Sequence, residues 1–433
     1  DGERRGRGAI AASAGNHAQG VALAANRLGL KARIYMPEAT PKMKQVAVAR
    51  HGGDAVEIIL HGDNYHAAAV RADADIKESG AVFVHPYNDL SVMGGQGTLA
   101  DEIVMAGTPP FDVAYLQIGG GGLAAAVACW LKAYYPGIRI VGVEGVEQAS
   151  MKAALAARKP VELDYVDVFC DGTAVKKVGD LTYPLCRELI DKFVQVTNEE
   201  VCAAIQLLWE SQRVTPEPSG AMGLAGLMKE RDAIAGQRAL CIVCGANMDF
   251  GRLAWIGQHA GIGRGNRHYV RLEMSERSGA MLDLLESAFE GVNIVDFQYG
   301  KVDPYKAWPV IGFEANPMQF AAMERTLDEL NIPFEDVTSE EDVEFRIIHY
   351  EPHLFMDPFF LKLEFPERAG ALHDFLESVR GLTNMCYFNY TFTGEQVGRA
   401  LLGFEFETDE RRNKLLKRMD ESTYRWRPMS QEV

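Results

Sequence analysis

The chain has 433 residues, 47% hydrophobic and 24% charged, with 44 basic against 60 acidic side chains and a net charge of −16. That length exceeds one ordinary core and allows two to four domains, while the acidity disfavours nucleic acid and anionic membrane as partners. No apolar run reaches the ~18 residues of a membrane span, and seven scattered cysteines without framework spacing fit a reducing compartment, so a cytoplasmic protein is expected.

In chain order, AIAAS (9–13) reads as a strand that leads into a helix in HAQGVALAANRLG (17–29). ARIYMP (32–37), AVEIIL (55–60) and AVFVHP (81–86) read as strands, separated by helices around PKMKQVAVARHG (41–52) and NYHAAAVRADADIKESG (64–80). DVAYLQI (112–118), a helix in LAAAVACWLKAYY (123–135) and IRIVGVEG (138–145) repeat the pattern. Residues 196–230 read as mostly helical, and ALCIVCGA (239–246) as a further buried strand. This alternation predicts an α/β unit over residues 1–260, in one or two lobes, with a parallel sheet and helices on both faces.

GIGRGNR (261–267) reads as a linker. Beyond it, LEMSERSGAMLDLLE from Leu272 recurs as LEFPERAGALHDFLE from Leu363, 91 residues later. The same offset aligns Asn293, Phe297 and Tyr299 with Asn384, Phe388 and Tyr390. A fixed offset means a duplicated unit. Each copy, 268–350 and 357–433, reads strand, Gly-Ala turn, helix, strand, strand, helix, strand, a small α+β module of the split βαβ type.

Several stretches carry chemistry. IGGGGLAAAVACWL (118–131) is a strand, four glycines and a helix, which suits a phosphate held by backbone N–H groups at a helix N-terminus. Gly119, Gly121 and Ala124 also match a loose dinucleotide fingerprint, with Glu144 where a ribose-binding acid would stand, so a nicotinamide enzyme competes. SAGNHAQG (13–20) is a second anion-receiving turn, with Ser13 as its expected N-cap. A dinucleotide does not need this second turn, whereas a cofactor with a phosphate at one end and a substrate carboxylate at the other does. Cys241 and Cys244 are not expected to bind metal, because three positions apart on a strand they face opposite ways, and no second pair completes a four-ligand site. No metal site is expected elsewhere. CDGTAVKKVGD (170–180) is a polar loop, either a lid or a connection.

SAGNHAQG, GGQGTLADE, IGGGGLAAAVA, EPSGAMGLAG and CGANMDFG occur in this order. The array resembles the fold type II pyridoxal-phosphate enzymes and, within them, the threonine ammonia-lyases. The paired C-terminal modules resemble the tandem ACT-like regulatory domains of the isoleucine-forming branch. The resemblance implies pyridoxal 5'-phosphate as cofactor, cradled by Gly119, Gly120, Gly121, Gly122 and Leu123. It implies Asn16 on the phenolic oxygen and Cys244 facing the pyridine nitrogen, a neutral partner suited to β-elimination. Ser13, Ala14, Gly15 and His17 would receive the substrate carboxylate, and Ala14, where racemising relatives carry a second Ser, counts against racemase activity. In the family a lysine Schiff base is displaced by threonine, the freed lysine removes the Cα proton, the β-hydroxyl leaves, and hydrolysis gives 2-oxobutanoate and ammonia.

That lysine lies in a Ser/Thr-Phe-Lys-x-Arg-Gly-Ala motif ahead of the Asn turn, and no Phe-Lys pair occurs in this sequence. The expectation is therefore a truncated chain, inactive as given, whose full-length form deaminates threonine and, more slowly, serine. A serine-preferring deaminase and a sensing pseudoenzyme without turnover are the alternatives. The resemblance further implies isoleucine or valine as effectors, with Phe297, Tyr299, Phe388 and Tyr390 bordering their pockets or packing a core, and a homotetramer.

Overall fold

Strand Val113–Gln117 is apolar at almost every position, and each residue is buried, because helices cover both faces of its sheet. A computed structural model describes residues 6–63, 65–107, 109–340, 348–355, 357–366, 370–391, 397–422 and 424–429. It divides into two compact units, Asp1–Gly263 and Arg264–Val433.

The first unit holds two four-stranded parallel sheets, as a two-lobed unit requires. Strands β1 (Ala9–Ala12), β2 (Ala32–Met36), β3 (Val56–Leu60) and β4 (Val82–Phe83) lie in the order β3-β2-β1-β4. Helices α1 (Asn16–Leu28) and α2 (Lys42–Gly52) cover one face through Ala11 and Ile34. Helix α3 (Tyr65–Ser79) covers the other through Ile10, Ala12 and Tyr35.

Strands β5 (Val113–Gln117), β6 (Arg139–Gly145), β7 (Lys192–Val196) and β8 (Ala239–Cys241) follow the order β7-β6-β5-β8. Alternation along β5 sends Ala114 and Leu116 into one core with helices α4 (Leu90–Met105), α5 (Gly122–Tyr134), α6 (Ser150–Ala157) and α7 (Thr182–Leu189). Val113 and Tyr115 enter a second core with α8 (Asn198–Gln212), α9 (Pro218–Lys229) and α10 (Arg252–Gly263). The C-terminal ends of β1, β5 and β8 lead into the residues singled out above.

Two expectations need correction. The strand expected over 239–246 ends at Cys241, since beyond it the backbone of Cys244 lies against α9, where a Cβ on Gly220 would stand 1.5 Å from the Cys244 carbonyl oxygen. Cys244 is therefore off the strand, and strand alternation does not separate it from Cys241. The expected linker 261–267 is mostly structured, because 261–263 complete α10 and Arg267 opens the next strand.

The second unit is built on an eight-stranded antiparallel sheet. Its strands are β9 (Arg267–Leu272), β11 (Asn293–Gly300), β13 (Val310–Glu314), β14 (Phe334–Asp336), β15 (Phe359–Pro366), β16 (Asn384–Thr391), β17 (Val397–Glu405) and β18 (Arg425–Pro428); a short ribbon, β10 (Met274–Ser275) with β12 (Lys306–Ala307), stands apart. The order β14-β9-β13-β11-β16-β17-β15-β18 places one copy of the repeat in each half. The copies join through β11 and β16, where Phe297 pairs with Tyr390, Tyr299 with Phe388, and Gln298 with Asn389. Gln298 and Asn389 are equivalent at the offset of 91 yet directly opposed, so a pseudo-twofold axis passes between them. One core under this sheet takes in helices α11 (Ala280–Ala288), α12 (Pro317–Glu329), α13 (Ala371–Ser378) and α14 (Asp409–Glu421) from both copies.

Candidate active site

The turn after β1 does not cap α1 with Ser13. Gly15 is the N-cap and no side chain caps it, while Ser13 Oγ accepts from the Gly15 N–H at 3.2 Å. The first N–H groups of α1 are thus left for another acceptor. A Cβ at Gly15 would meet nothing within 4 Å, so the turn borders open space. His17 donates from Nε2 to the Val84 carbonyl at 2.8 Å, and burial lowers its pKa, so the imidazole is neutral at pH 7. Anion attraction at this turn therefore comes from backbone N–H groups and the helix terminus.

The glycine run opposite is shaped by close packing. A Cβ at Gly120 would stand 2.2 Å from the Tyr87 ring, and one at Gly119 2.9 Å from Thr173 Cα. Gly121 is the N-cap of α5 at φ 92, a left-handed position suited to glycine, and no side chain caps the helix. Thr182 Oγ1 donates to the Gly120 carbonyl at 2.6 Å, and the Gly179 N–H donates to it at 3.3 Å. In a trans peptide the N–H opposes the C=O, so the Gly121 N–H is aimed away from the 179–182 segment. Gly122 and Leu123 continue into the first turn of α5. The loop 170–180 is accordingly packed structure behind the glycines, and Lys44 of α2 pairs with its Asp171 at 2.6 Å.

Asn16 and Cys244 are brought to the same region by a residue that sequence reasoning passed over. Asn16 Nδ2 donates to Glu217 Oε1 at 2.7 Å, and the Asn247 N–H donates to Glu217 Oε2 at 3.0 Å. Glu217 opens the EPSG stretch; Ser219, two residues on, lies 3.3 Å from Thr173 Oγ1, and Thr173 abuts Gly119. Gln117, the last residue of β5, donates to Cys244 Sγ at 3.1 Å. The cysteine is solvent-accessible on one side, yet the protein packed around it pushes its thiol pKa up, so it is neutral. The turn after β1, the glycine run and the 244–247 loop are thus linked through Glu217, Ser219 and Thr173, and the space they border is the candidate cleft.

These residues fit a phosphorylated planar cofactor. Two helix N-termini without side-chain caps, an exposed amide on Asn16 and a neutral thiol offer an anion site, a hydrogen bond and an uncharged ring partner. A dinucleotide fits less well. Glu144 is 1% exposed and accepts the Met151 and Lys152 N–H groups at 2.7 and 3.0 Å, so it serves the first turn of α6 and not a ribose. Among the described residues no group of three or more His, Cys, Asp or Glu could hold a metal, and no helix is long and apolar enough to cross a membrane.

Burial pushes the Glu144 carboxyl up to about 7 from 4.5. The folded state therefore holds this proton more tightly than the unfolded chain. Its contribution is complete below about pH 4.5 and is lost as pH rises through 7. Urea unfolding across that range is expected to show wild type losing stability relative to Glu144→Gln, by on the order of 1–3 kcal/mol, with a constant gap above pH 8. Parallel profiles contradict this assignment.

A family model described as pyridoxal-phosphate dependent enzyme matches residues 1–245, and one described as the C-terminal regulatory domain of threonine dehydratase matches 357–432. The chain is 38% identical to the biosynthetic L-threonine dehydratase of Haemophilus influenzae, over 94% of this chain and 80% of that protein. It is 37% identical to that of Burkholderia multivorans, over 92% and 80%. The processed form of threonine deaminase isoform 2 from Solanum lycopersicum superposes with a TM-score of 0.58 at 39% identity, over 60% of this chain and 72% of that one. The chain belongs to the pyridoxal-phosphate dependent enzymes and, within them, to the biosynthetic threonine dehydratases.

Proposed function

We propose that this cleft serves the elimination of water from L-threonine, giving 2-oxobutanoate and ammonia, with L-serine a slower substrate. The observation that carries the proposal is that two helix N-termini without side-chain caps, at Gly15 and Gly121, belong to segments joined through Glu217, Ser219 and Thr173. Bound pyridoxal phosphate supplies the electron sink for loss of the Cα proton and the β-hydroxyl. Gly119, Gly120, Gly121, Gly122 and Leu123 hold its phosphate through backbone N–H groups. Asn16 donates to its phenolic oxygen, and Cys244, neutral, faces its ring nitrogen. Ser13, Ala14, Gly15 and His17 form the turn that takes the threonine carboxylate and sets the Cα–H bond against the ring.

The sequence holds no Phe-Lys pair, and none of these cleft residues is a lysine. Residues 1–433 alone are therefore proposed to bind the cofactor reversibly, and to yield 2-oxobutanoate from threonine only when joined to a segment carrying the lysine motif. The seven free thiols fit a reducing compartment, and the proposed location is the cytoplasm. The exposed pair Trp130 and Tyr134, with ring centroids 5.4 Å apart, supplies apolar surface for the homotetramer we propose.

The second unit is proposed to bind an aliphatic amino acid, isoleucine or valine, as feedback effector. A cleft of about 60 Å³ lies between the first copy's turn 275–279 and the second copy's 376–385. Met274, Met281, Leu282 and Leu376 give it apolar walls. Glu276, raised in pKa by burial, accepts from Tyr299 Oη and from Asn384 Nδ2 at 3.0 Å, and can face an ammonium. Gly279, at φ 82, caps α11 without a side chain and can face a carboxylate. Of the four aromatics expected at this site, only Tyr299 lines the cleft. Phe297, Phe388 and Tyr390 are 0, 1 and 3% exposed and pack the core, with Phe297 and Phe388 centroids 4.7 Å apart.

Two outcomes follow. Equilibrium dialysis is expected to show pyridoxal phosphate binding that is fully removable and at least tenfold weaker in Gly121→Ala, where a Cβ would meet Thr182 at 2.9 Å and the backbone is left-handed; unchanged affinity, or a borohydride-fixed adduct on a lysine, contradicts the reading. Isoleucine is expected to raise the unfolding temperature of the second unit, and Leu282→Trp, which fills the cleft, to abolish the rise; a rise that survives moves the effector elsewhere.

A further inference from the structure

Glu217 stands at the N-cap position of α9, where a carboxylate would ordinarily accept from the helix's own N–H groups. It makes no such bond. Its two oxygens go instead to Asn16 Nδ2 at 2.7 Å and to the Asn247 N–H at 3.0 Å. The residue is 4% exposed, and the side-chain partners it has among the described residues are these two neutral donors. A buried carboxylate held only by neutral donors is costly, so capping and ion pairing do not account for it.

The surrounding backbone makes room for this group. A Cβ on Gly245, whose φ is +71, would stand 2.3 Å from Glu217 Cδ, and one on Gly172 would stand 3.0 Å from Oε1. Two glycines from separate loops thus leave space for a charged group that points away from its own helix and toward the cleft.

A carboxylate only accepts hydrogen bonds, whereas an amide both donates and accepts. Against Glu217 the Asn16 amide must present nitrogen, not oxygen. One N–H of Nδ2 is taken at 2.7 Å, and the second leaves the same planar nitrogen about 120° away. Asn16 is otherwise exposed, so this second N–H is open to the cleft.

We propose that Glu217 is a positioning residue: it fixes the orientation of the Asn16 amide so that one N–H is always available to the cofactor's phenolic oxygen. This rests on the reading of Asn16 given under the proposed function. Replacing the carboxylate by an isosteric amide keeps the volume but lets Asn16 turn its oxygen toward position 217, which points the wrong group at the ligand.

The test uses residues 1–433 and non-covalent binding. Equilibrium dialysis compares pyridoxal 5'-phosphate with its 3-O-methyl ether, whose phenolic oxygen is blocked, on wild type, Asn16→Ala, Glu217→Gln and the double variant. Wild type is expected to prefer the free phenol by about tenfold. Glu217→Gln and Asn16→Ala should each lose that preference with little change for the ether, and the double variant should bind no worse than Asn16→Ala. Glu217→Asp, which keeps an acceptor-only group, should recover part of the preference, and it serves as the working variant if Glu217→Gln unfolds early. Discrimination retained in Glu217→Gln, equal losses for both ligands, or losses that multiply in the double variant overturn the inference alone. A wild type that treats the two ligands alike removes the reading of Asn16, and this inference with it.

Discussion

Thr182 Oγ1 ties back the Gly120 carbonyl at 2.6 Å, and the geometry of the proposed cofactor site depends on that bond. It fixes one peptide plane in a four-glycine run that would otherwise have many conformations. With the carbonyl held behind, the following N–H can only point forward, beside the N-terminus of α5. Tyr87 and Thr173 then close on the glycines so tightly that no side chain could be added at Gly119 or Gly120. The proposed anion site is thereby made of backbone alone, held rigid by the protein packed behind it. Pre-organised N–H groups need no reordering when a phosphate arrives, which is what such a site requires.

Glu217 joins this site to the other lobe. Its side chain meets Asn16 from the turn after β1 and Asn247 from the loop after β8. Ser219, two residues on, touches Thr173 behind the glycines. A single short stretch, Glu217 to Gly220, therefore reaches the Asn16 turn and the 244–247 loop directly, and the glycine run through Thr173. Charge plays a small part at the turn itself, since His17 is neutral and the attraction for an anion is a property of peptide dipoles.

Much of this was legible in the sequence. Strand and helix periods located β1 to β3, β5, β6 and the helices α1, α2, α3 and α5, because each carries a clean apolar pattern. The duplicated modules were visible from the offset of 91 alone, and the structure adds what a repeat cannot show: the copies meet across Gln298 and Asn389 in one continuous sheet. Ser13 looked like a cap because Ser before a helix usually is one, but the N-cap is Gly15, two residues later, and the helix starts at Asn16. The strand in ALCIVCGA was overextended because the close approach of Gly220 to Cys244 is a tertiary contact with no local signal. Glu144 looked available at a strand end, and only its burial shows that it serves α6. Glu217 was passed over because a Glu before Pro at a helix start has an ordinary local use, and its partner Asn16 lies 201 residues away. Aromatics on a strand give no hint of which face they take: the sequence left Phe297, Tyr299, Phe388 and Tyr390 between effector contact and core packing, and all four are buried in the core of the second unit.

Two remote backbone turns are thus proposed to act together on one phosphorylated ligand. Amide hydrogen exchange on residues 1–433, with and without pyridoxal phosphate, tests it most directly. Slowed exchange is expected at residues 16–18 and 121–124 together, at the same ligand concentration. Protection at one turn without the other, or protection confined to the second unit, would contradict it.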